Sequence, residues 1–537
     1  MAIRLNGVFK DNMIFQQNKE IRVFGDVSTD TAANDIIAIL MDSEGEFIRN
    51  SSADEVYEDG FFLITMESLP AGGPYYLEVF ENGELTNRIN DIYIGELWLA
   101  SGQSNMEYPL GRTEGAKYLL PKIGDTNIHF YNIPAFGEYS EEQRKAEDES
   151  TWTLINRDTC YGMSGIAYFF AKKLEEFWAN DEANKNVHIG IIGCYVGATS
   201  VACWQSVDAL NSTKEGKAYI ADYLAECDNK PKGAYEAELA SFNKRLLSYN
   251  SKVEHYLKTN PYATYHEVDK VVGSGPWPHP VGRESMRRPG ALFDTMVLRV
   301  VPLAIKGVIF YQGEEDAEDY CNEYGAMFKS LIKEWREAFW EADLPFIFCQ
   351  LPMYISKDRK FMGYDDMHWP RLREQQMRVQ REVENTYIAI LTDCGEFDNI
   401  HPADKKTPGE RLANLALRFV YNQEDVPAVA PYIVDVRRGE GVEISFAGDF
   451  GSLKLVSGLA ADESGFEVAG ENCDFYKAEA EVDFDGKTII LNCPQVELPM
   501  RVRYAYFSYG QATLAGDTGL AAAPFDTSIE KAISNFY

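Results

Sequence analysis

The chain is poor in positive charge: 51 Lys and Arg residues stand against 84 Asp and Glu, a formal net charge of -33 over 537 residues. Such a field repels phosphate backbones and anionic lipid surfaces, which argues against nucleic acid and membrane partners. Its plainest consequence is solubility. No segment approaches the ~20 consecutive apolar residues that a membrane-spanning helix needs. The start, MAIRLNGVFKDNMIF, lacks the basic opening and apolar stretch of a secretory signal. The chain as it stands therefore reads as cytoplasmic, and as secreted only if a leader has been trimmed. Pairing signals are also missing among the nine cysteines, an odd number with no C-x-x-C spacing. That pattern fits reduced thiols better than a disulfide framework or a zinc site. No ligand-spaced set of His, Cys and Asp appears, so neither metal nor cofactor is expected. Histidine is scarce at seven residues, which makes each one informative.

What is present is an ordinary globular balance, 45% hydrophobic and 25% charged, in a chain long enough for about three or four domains. Residues 1–95 read as a small β-sandwich: short alternating runs such as EIRVFGDV, GFFLITM and YYLEVFENGEL are separated by Asp, Asn, Gly and Pro turns. From 96 to 425 strands alternate with helices. ELWLAS, HIGIIGCY, KGVIFYQ, PFIFCQLP and TYIAILTD look buried on both faces. GIAYFFAKKLEEFWAN and RLREQQMRVQREVEN carry apolar residues at three- and four-residue steps. That alternation predicts an α/β domain with a mostly parallel sheet. Within it, residues 206–270 read as a polar helical insertion, followed by the long Gly/Pro-rich loop GSGPWPHPVGRESMRRPG. Residues 426–537 return to β patterning.

Ligands of open α/β sheets bind beyond the carboxyl ends of the strands, and four such ends carry reactive groups. GELWLASGQSNMEYP runs a buried strand into a tight turn, with Ser104 at a helix N-terminus where backbone N–H groups can stabilise an oxyanion. A serine there is otherwise a helix cap, a role Ser101 could fill. Asp398-Asn399-Ile400-His401 offers an aspartate three residues ahead of a histidine, able to accept its Nδ1–H and leave Nε2 as a general base. Gly197, after HIGIIGCYV, lets its N–H approach a substrate closely, although a plain strand-to-helix turn also uses glycine. Tyr311-Gln312-Gly313-Glu314-Glu315-Asp316 supplies a neutral amide donor in Gln312. Its carboxylates could instead point to a glycosidase or a metal site, but no second acidic cluster partners them.

SGQSNME, YQGEEDA and DNIHPADKKTPGERLA, in this order, resemble the SGNH hydrolase superfamily and, within it, the sialate O-acetylesterase and carbohydrate acetylesterase branch. RRPGALFDTMV, RLREQQ, GVFKDNMIFQQ and AGGPYYLEV extend the resemblance over roughly the first 425 residues. It implies a three-layer α/β/α, flavodoxin-like catalytic domain flanked by N- and C-terminal β-rich regions. It implies a carbohydrate O-acetylesterase with Ser104 as nucleophile, His401 as base and Asp398 as its orienting partner. The oxyanion hole would take the Ser104 and Gly197 N–H groups and a side chain of the third motif. Many relatives have Asn where this chain has Asp316; an ionised Asp cannot donate, so Gln312 is the expected donor.

The implied substrate is an acetylated sugar or oligosaccharide, sialate first and acetylated xylan or mannan fragments second. Tyr108, Trp204, Trp277 and Trp369 are candidates for stacking on sugar rings, although aromatic residues more often pack in cores. Two rival readings remain: a non-catalytic carbohydrate-binding protein on an esterase scaffold, and a glycosidase working through Glu314 and Glu315.

Overall fold

The structure, a computed structural model, describes residues 3–27, 35–53, 56–57, 60–179, 181–182, 184–439, 441–456 and 463–529. It is a mixed α/β chain with additional β-rich regions, in two compact units: Met1–Phe310 with Ser330–Pro345, and Tyr311–Lys329 with Phe346–Tyr537. Among the described residues no helix is long and apolar enough to cross a membrane.

The first unit opens with antiparallel sheets. Ile21–Val27 lies between Ile3–Leu5 and Phe61–Met66, while Ile36–Asp42 lies between Phe47–Ser52 and Gly72–Glu81. The strand Glu84–Gly102 is 19 residues long and serves two environments. Its first half pairs antiparallel with Gly72–Glu81, and its second half pairs parallel with Ile189–Tyr195, Glu96 opposite Ile189 and Gly102 opposite Tyr195. Burial follows the pairing, alternating at first and continuous from Ile94 onward. The boundary expected at residue 95 therefore falls inside one unbroken strand. The switch in hydrophobic pattern marks a change from a half-exposed sheet to a fully covered one, not a linker.

Ile189–Tyr195 also pairs parallel with Ile128–Asn132. Every residue of IGIIGCY is buried, and its two glycines are required by closeness. A Cβ at Gly193 would lie 2.6 Å from Asn132 Oδ1, and one at Gly190 would lie 2.8 Å from Ile14 and Leu97 side-chain carbons. Helix Gly165–Trp178 covers this layer. Ser164 caps it, accepting the Ala167 N–H at 3.2 Å, and Phe170 meets Trp98 edge-on at 5.0 Å. Residues 206–272 form helices Val207–Asn211, Lys214–Asp228, Ala234–Leu257 and Tyr265–Val272.

In the second unit, Phe346–Cys349 pairs parallel with Thr386–Ala389, flanked by helices His368–Glu382 and Lys406–Leu415. Two four-stranded antiparallel sheets follow, and their inner faces share one core that includes Val436, Ile444, Phe466, Ile489, Val502 and Tyr504. Met353 enters the same core. Arg373, buried on helix His368–Glu382, donates to the Ala505 and Phe507 carbonyls, and Ser508 donates to Asp365 through N–H and hydroxyl at 2.6 Å each. The C-terminal β region is thus packed onto the segment that carries His401, so residue 425 ends a pattern but does not end the compact unit.

Candidate active site

The nucleophile half is built by two parallel strands that end together. Gly102 closes its strand at φ 135°, in the region that favours glycine, and a single helical turn, Ser104–Glu107, follows at once. The Met106 and Glu107 N–H groups both donate to Gln103 O, at 2.9 and 3.0 Å, which makes half-buried Ser104 the first residue of the turn. One strand away, Val196 N–H donates to Gly102 O at 3.2 Å, and the chain bends through Gly197 and a left-handed Ala198 at φ 57°. Gly197 and Ser104 are brought together: a Cβ at Gly197 would stand 3.4 Å from Ser104 Cβ.

Glu107, one helical turn after Ser104, was not anticipated as a site residue. Its Oε2 accepts the Gly197 N–H at 2.7 Å. Loss of water around the carboxyl raises its pKa, opposed by the Gly197 N–H and by the Arg287 charge. Arg287 in turn donates to Gly197 O at 2.9 Å and Ala198 O at 2.8 Å, fastening the turn from the Gly/Pro-rich loop. The spacing Ser104-x-x-Glu107 was a readable signal, since residues three apart share a helix face.

The base half lies in the second unit. His401 is half-buried on the loop after Thr386–Ala389. Burial first, and the nearby Lys405 charge second, push its pKa down to about 4. The imidazole is therefore neutral over the ordinary range, as a general base must be. Three side chains that sequence reasoning missed hold this loop. Glu396 accepts Asn399 Nδ2 at 2.8 Å and the Ala403 N–H at 3.0 Å, while Asn399 Oδ1 accepts the His401 N–H at 3.1 Å. Lys405, buried, donates to Pro402 O at 2.5 Å. Burial lowers the Lys405 pKa to about 8 against the pull of Glu314 and Asp404.

Asp398, expected to accept the His401 Nδ1–H, is exposed. Its Oδ1 accepts the Lys357 N–H at 2.8 Å, and its own N–H donates to Ile355 O at 3.1 Å. Its left-handed backbone, φ 55°, and the Glu396–Asn399 bridge shape the loop so that its carboxylate meets residue 357.

Gln312 is buried at the end of Gly307–Tyr311. Its carbonyl accepts Tyr324 Oη and Gln376 Nε2 at 3.2 Å each, and its own Nε2 donates to Asp316 Oδ2 at 2.5 Å. Asp316 thus orients the amide that was expected to donate. Glu314, also buried, bears on the Lys405 charge.

The four ring candidates separate sharply. Trp204 is fully buried, its Nε1 donating to Thr199 Oγ1 at 3.0 Å; Trp369 is 7% exposed and donates to Pro352 O at 2.5 Å. Tyr108 is buried, with its hydroxyl between Arg112 O and the Tyr265 N–H at 3.0 Å each. These three are packing residues with their faces covered. Trp277 is 56% exposed and offers a ring to solvent. Among the described residues no three His, Cys, Asp or Glu side chains gather as a metal ion would require.

Residues 278–438, which include Gln312, Asp398 and His401, match the family described as carbohydrate esterase, sialic acid-specific acetylesterase. This stretch of the chain is similar to that family of esterases. It is 22% identical to the sialate O-acetylesterase of Mus musculus over 390 residues, 69% of this chain and 65% of the mouse protein. Against the Homo sapiens sialate O-acetylesterase it is 21% identical over 451 residues, 80% of this chain and 73% of the human one. The chain thus spans about 65% of the mouse relative's length. A crystal structure of a carbohydrate acetylesterase from Xanthomonas citri, 23% identical, covers 98% of this chain and 99% of its own with a TM-score of 0.72. That match establishes a shared fold.

Proposed function

We propose that this protein is a serine-dependent carbohydrate O-acetylesterase whose α/β part is the three-layer catalytic fold of the SGNH hydrolases. The observation that carries the reading is Ser104 at the start of a helical turn, on a strand end, with Gly197 packed beside it. A plain helix cap needs no such glycine.

In the proposed reaction His401 Nε2 takes the Ser104 proton as Oγ attacks the acetyl carbonyl carbon. The tetrahedral oxyanion is met by the Ser104 and Gly197 N–H groups and by Gln312 Nε2, whose rigid holding by Asp316 costs no reorganisation during reaction. Collapse expels the sugar oxygen, which takes the proton from His401. Water then repeats the sequence on the acetyl-enzyme. An oxyanion and the Glu107 carboxylate cannot share the Gly197 N–H, so turnover requires Glu107 to leave it. Asp398 is assigned to steady protonated His401, a role for which its Oδ2 is available while Oδ1 accepts the Lys357 N–H.

The substrate class is an O-acetylated sugar. Sialate is named for the mouse and human relatives, and acetylated xylan or mannan oligosaccharides form the second reading. Acetate release from these glycans should fall on the order of 10⁴-fold or more in Ser104→Ala. Equal release by wild type and mutant would defeat the serine mechanism, and glycan binding without any release would favour the non-catalytic reading.

A further inference from the structure

The Ser104 turn carries a carboxylate that acyl transfer at Ser104 does not call for. Glu107 closes the same helical turn, and its Oε2 accepts the Gly197 N–H at 2.7 Å. A Cβ on Gly197 would stand 3.1 Å from that oxygen and 3.4 Å from Ser104 Cβ, so carboxylate and nucleophile border one small space. Glu107 is exposed, and its side chain can turn about its own torsions without opening the core.

The bend at Gly197 is fastened by other bonds. Arg287 donates Nε to Ala198 O at 2.8 Å and Nη2 to Gly197 O at 2.9 Å. Thr199 Oγ1 donates to Val196 O at 2.8 Å, and the Val196 N–H donates to Gly102 O at 3.2 Å. Gly197 is thus held through its carbonyl and its neighbours, while its N–H is lent to a movable side chain.

An ionised carboxylate is a stronger acceptor than the neutral carbonyl of an arriving ester. The ester alone therefore does not displace Glu107, and the N–H stays covered until the carboxylate is offered another donor. Tyr195 and Tyr265 face the same carboxylate. Burial first, and the Glu107 charge second, keep their hydroxyls neutral, so neither supplies an anion that would repel it. The substrate can supply the donor. In an acetylated sugar the ester and a free hydroxyl sit on adjacent ring carbons, so binding the acetyl group brings an O–H into the space beside Ser104.

We propose that Glu107 is a specificity-determining residue: it covers the Gly197 N–H until the hydroxyl adjacent to the acetyl ester donates to its carboxylate and draws it aside. No proton changes hands; the carboxylate exchanges an amide donor for a hydroxyl donor, and the freed N–H meets the oxyanion. The inference rests on the serine esterase reading and deepens it, because it selects mono-esters of vicinal diols over isolated acetyl esters.

The test compares kcat/KM for trans-2-hydroxycyclohexyl acetate and for cyclohexyl acetate, each divided by its rate of alkaline hydrolysis, in wild type and in Glu107→Ala. The two esters differ by one hydroxyl. Wild type should prefer the hydroxy ester by about 10-fold or more, the size of one hydrogen bond to a charged group. Glu107→Ala should lose that preference, chiefly by cleaving cyclohexyl acetate faster. A wild-type preference near one would overturn the proposal without any variant. So would wild type that cleaves p-nitrophenyl acetate but neither of these esters. Equal losses on both esters in Glu107→Ala would mean that Glu107 only braces the turn, which also overturns it. Should the alanine variant not fold, Glu107→Gln decides the point: its neutral amide oxygen holds the N–H less firmly, and the preference should again fall. Hydrolysis that survives Ser104→Ala is a separate failure, since it defeats the serine mechanism itself.

Discussion

The turn that carries Ser104 and the loop that carries His401 are held in opposite ways. The Ser104 turn is a product of backbone geometry: two parallel strands, one fully buried, end side by side, and Gly102, Gly197 and Ala198 adopt conformations or approaches that fix the bend. The His401 loop has no such frame. Polar side chains hold it, with Glu396, Asn399, Lys405 and the Lys357 amide taking up its hydrogen bonds. A backbone frame is altered by packing defects; a side-chain network is altered by single charges and by pH.

The contrast can be pressed hardest at Trp204, whose buried indole props Thr199 beneath the Gly197 turn and whose carbonyl accepts Trp335 Nε1 at 2.8 Å. Trp204→Ala should cost about 3–5 kcal/mol in urea unfolding, because a large cavity opens and two hydrogen bonds lose their geometry. A cost near zero would mean that the turn does not depend on packing. On the other side, Glu396→Ala should remove about 1–3 kcal/mol by leaving the Asn399 amide and the Ala403 N–H unpaired. Its mark should be faster amide exchange over residues 396–403 and lower kcat, with exchange near Ser104 unaltered. Exchange that rises equally at both places would erase the distinction.

The smallest effect is on pH dependence. A general base works in its neutral form, which lies above its pKa. With His401 lowered to about 4, the acid limb of kcat/KM should extend toward that pH, well below the ordinary histidine value. Lys405→Met removes the lesser of the two causes, so the limb should move upward by a fraction of a pH unit while burial keeps it low. A limb that moves downward, or already lies at pH 6.5 in wild type, would contradict the assignment of the loop's charges.

These differences follow what a sequence can carry. ELWLASGQSNM and HIGIIGCYVG announced buried strands ending in small residues, because continuous burial and tight turns leave their mark in residue type. The Glu107–Gly197 bond, between residues 90 apart, depended on two strand ends lying together and left no local trace. The D-x-x-H spacing drew attention to Asp398, yet Glu396 and Asn399 shape that loop; side-chain direction there depends on a left-handed residue that composition does not announce. The rings show the same limit. Trp204, Trp277 and Trp369 look alike in sequence, and only tertiary packing separates two core residues from one exposed face.

The most direct test of the central claim is to mix the protein with p-nitrophenyl acetate, quench in acid within the first turnovers, and map any added acetyl group by mass spectrometry of peptides. The account predicts one acetyl group on the peptide containing Ser104, absent from Ser104→Ala and accumulating when His401 is replaced by Ala only at a greatly reduced rate. Hydrolysis with no acetyl on that peptide, or acetyl on it that forms equally fast without His401, would contradict the proposed mechanism.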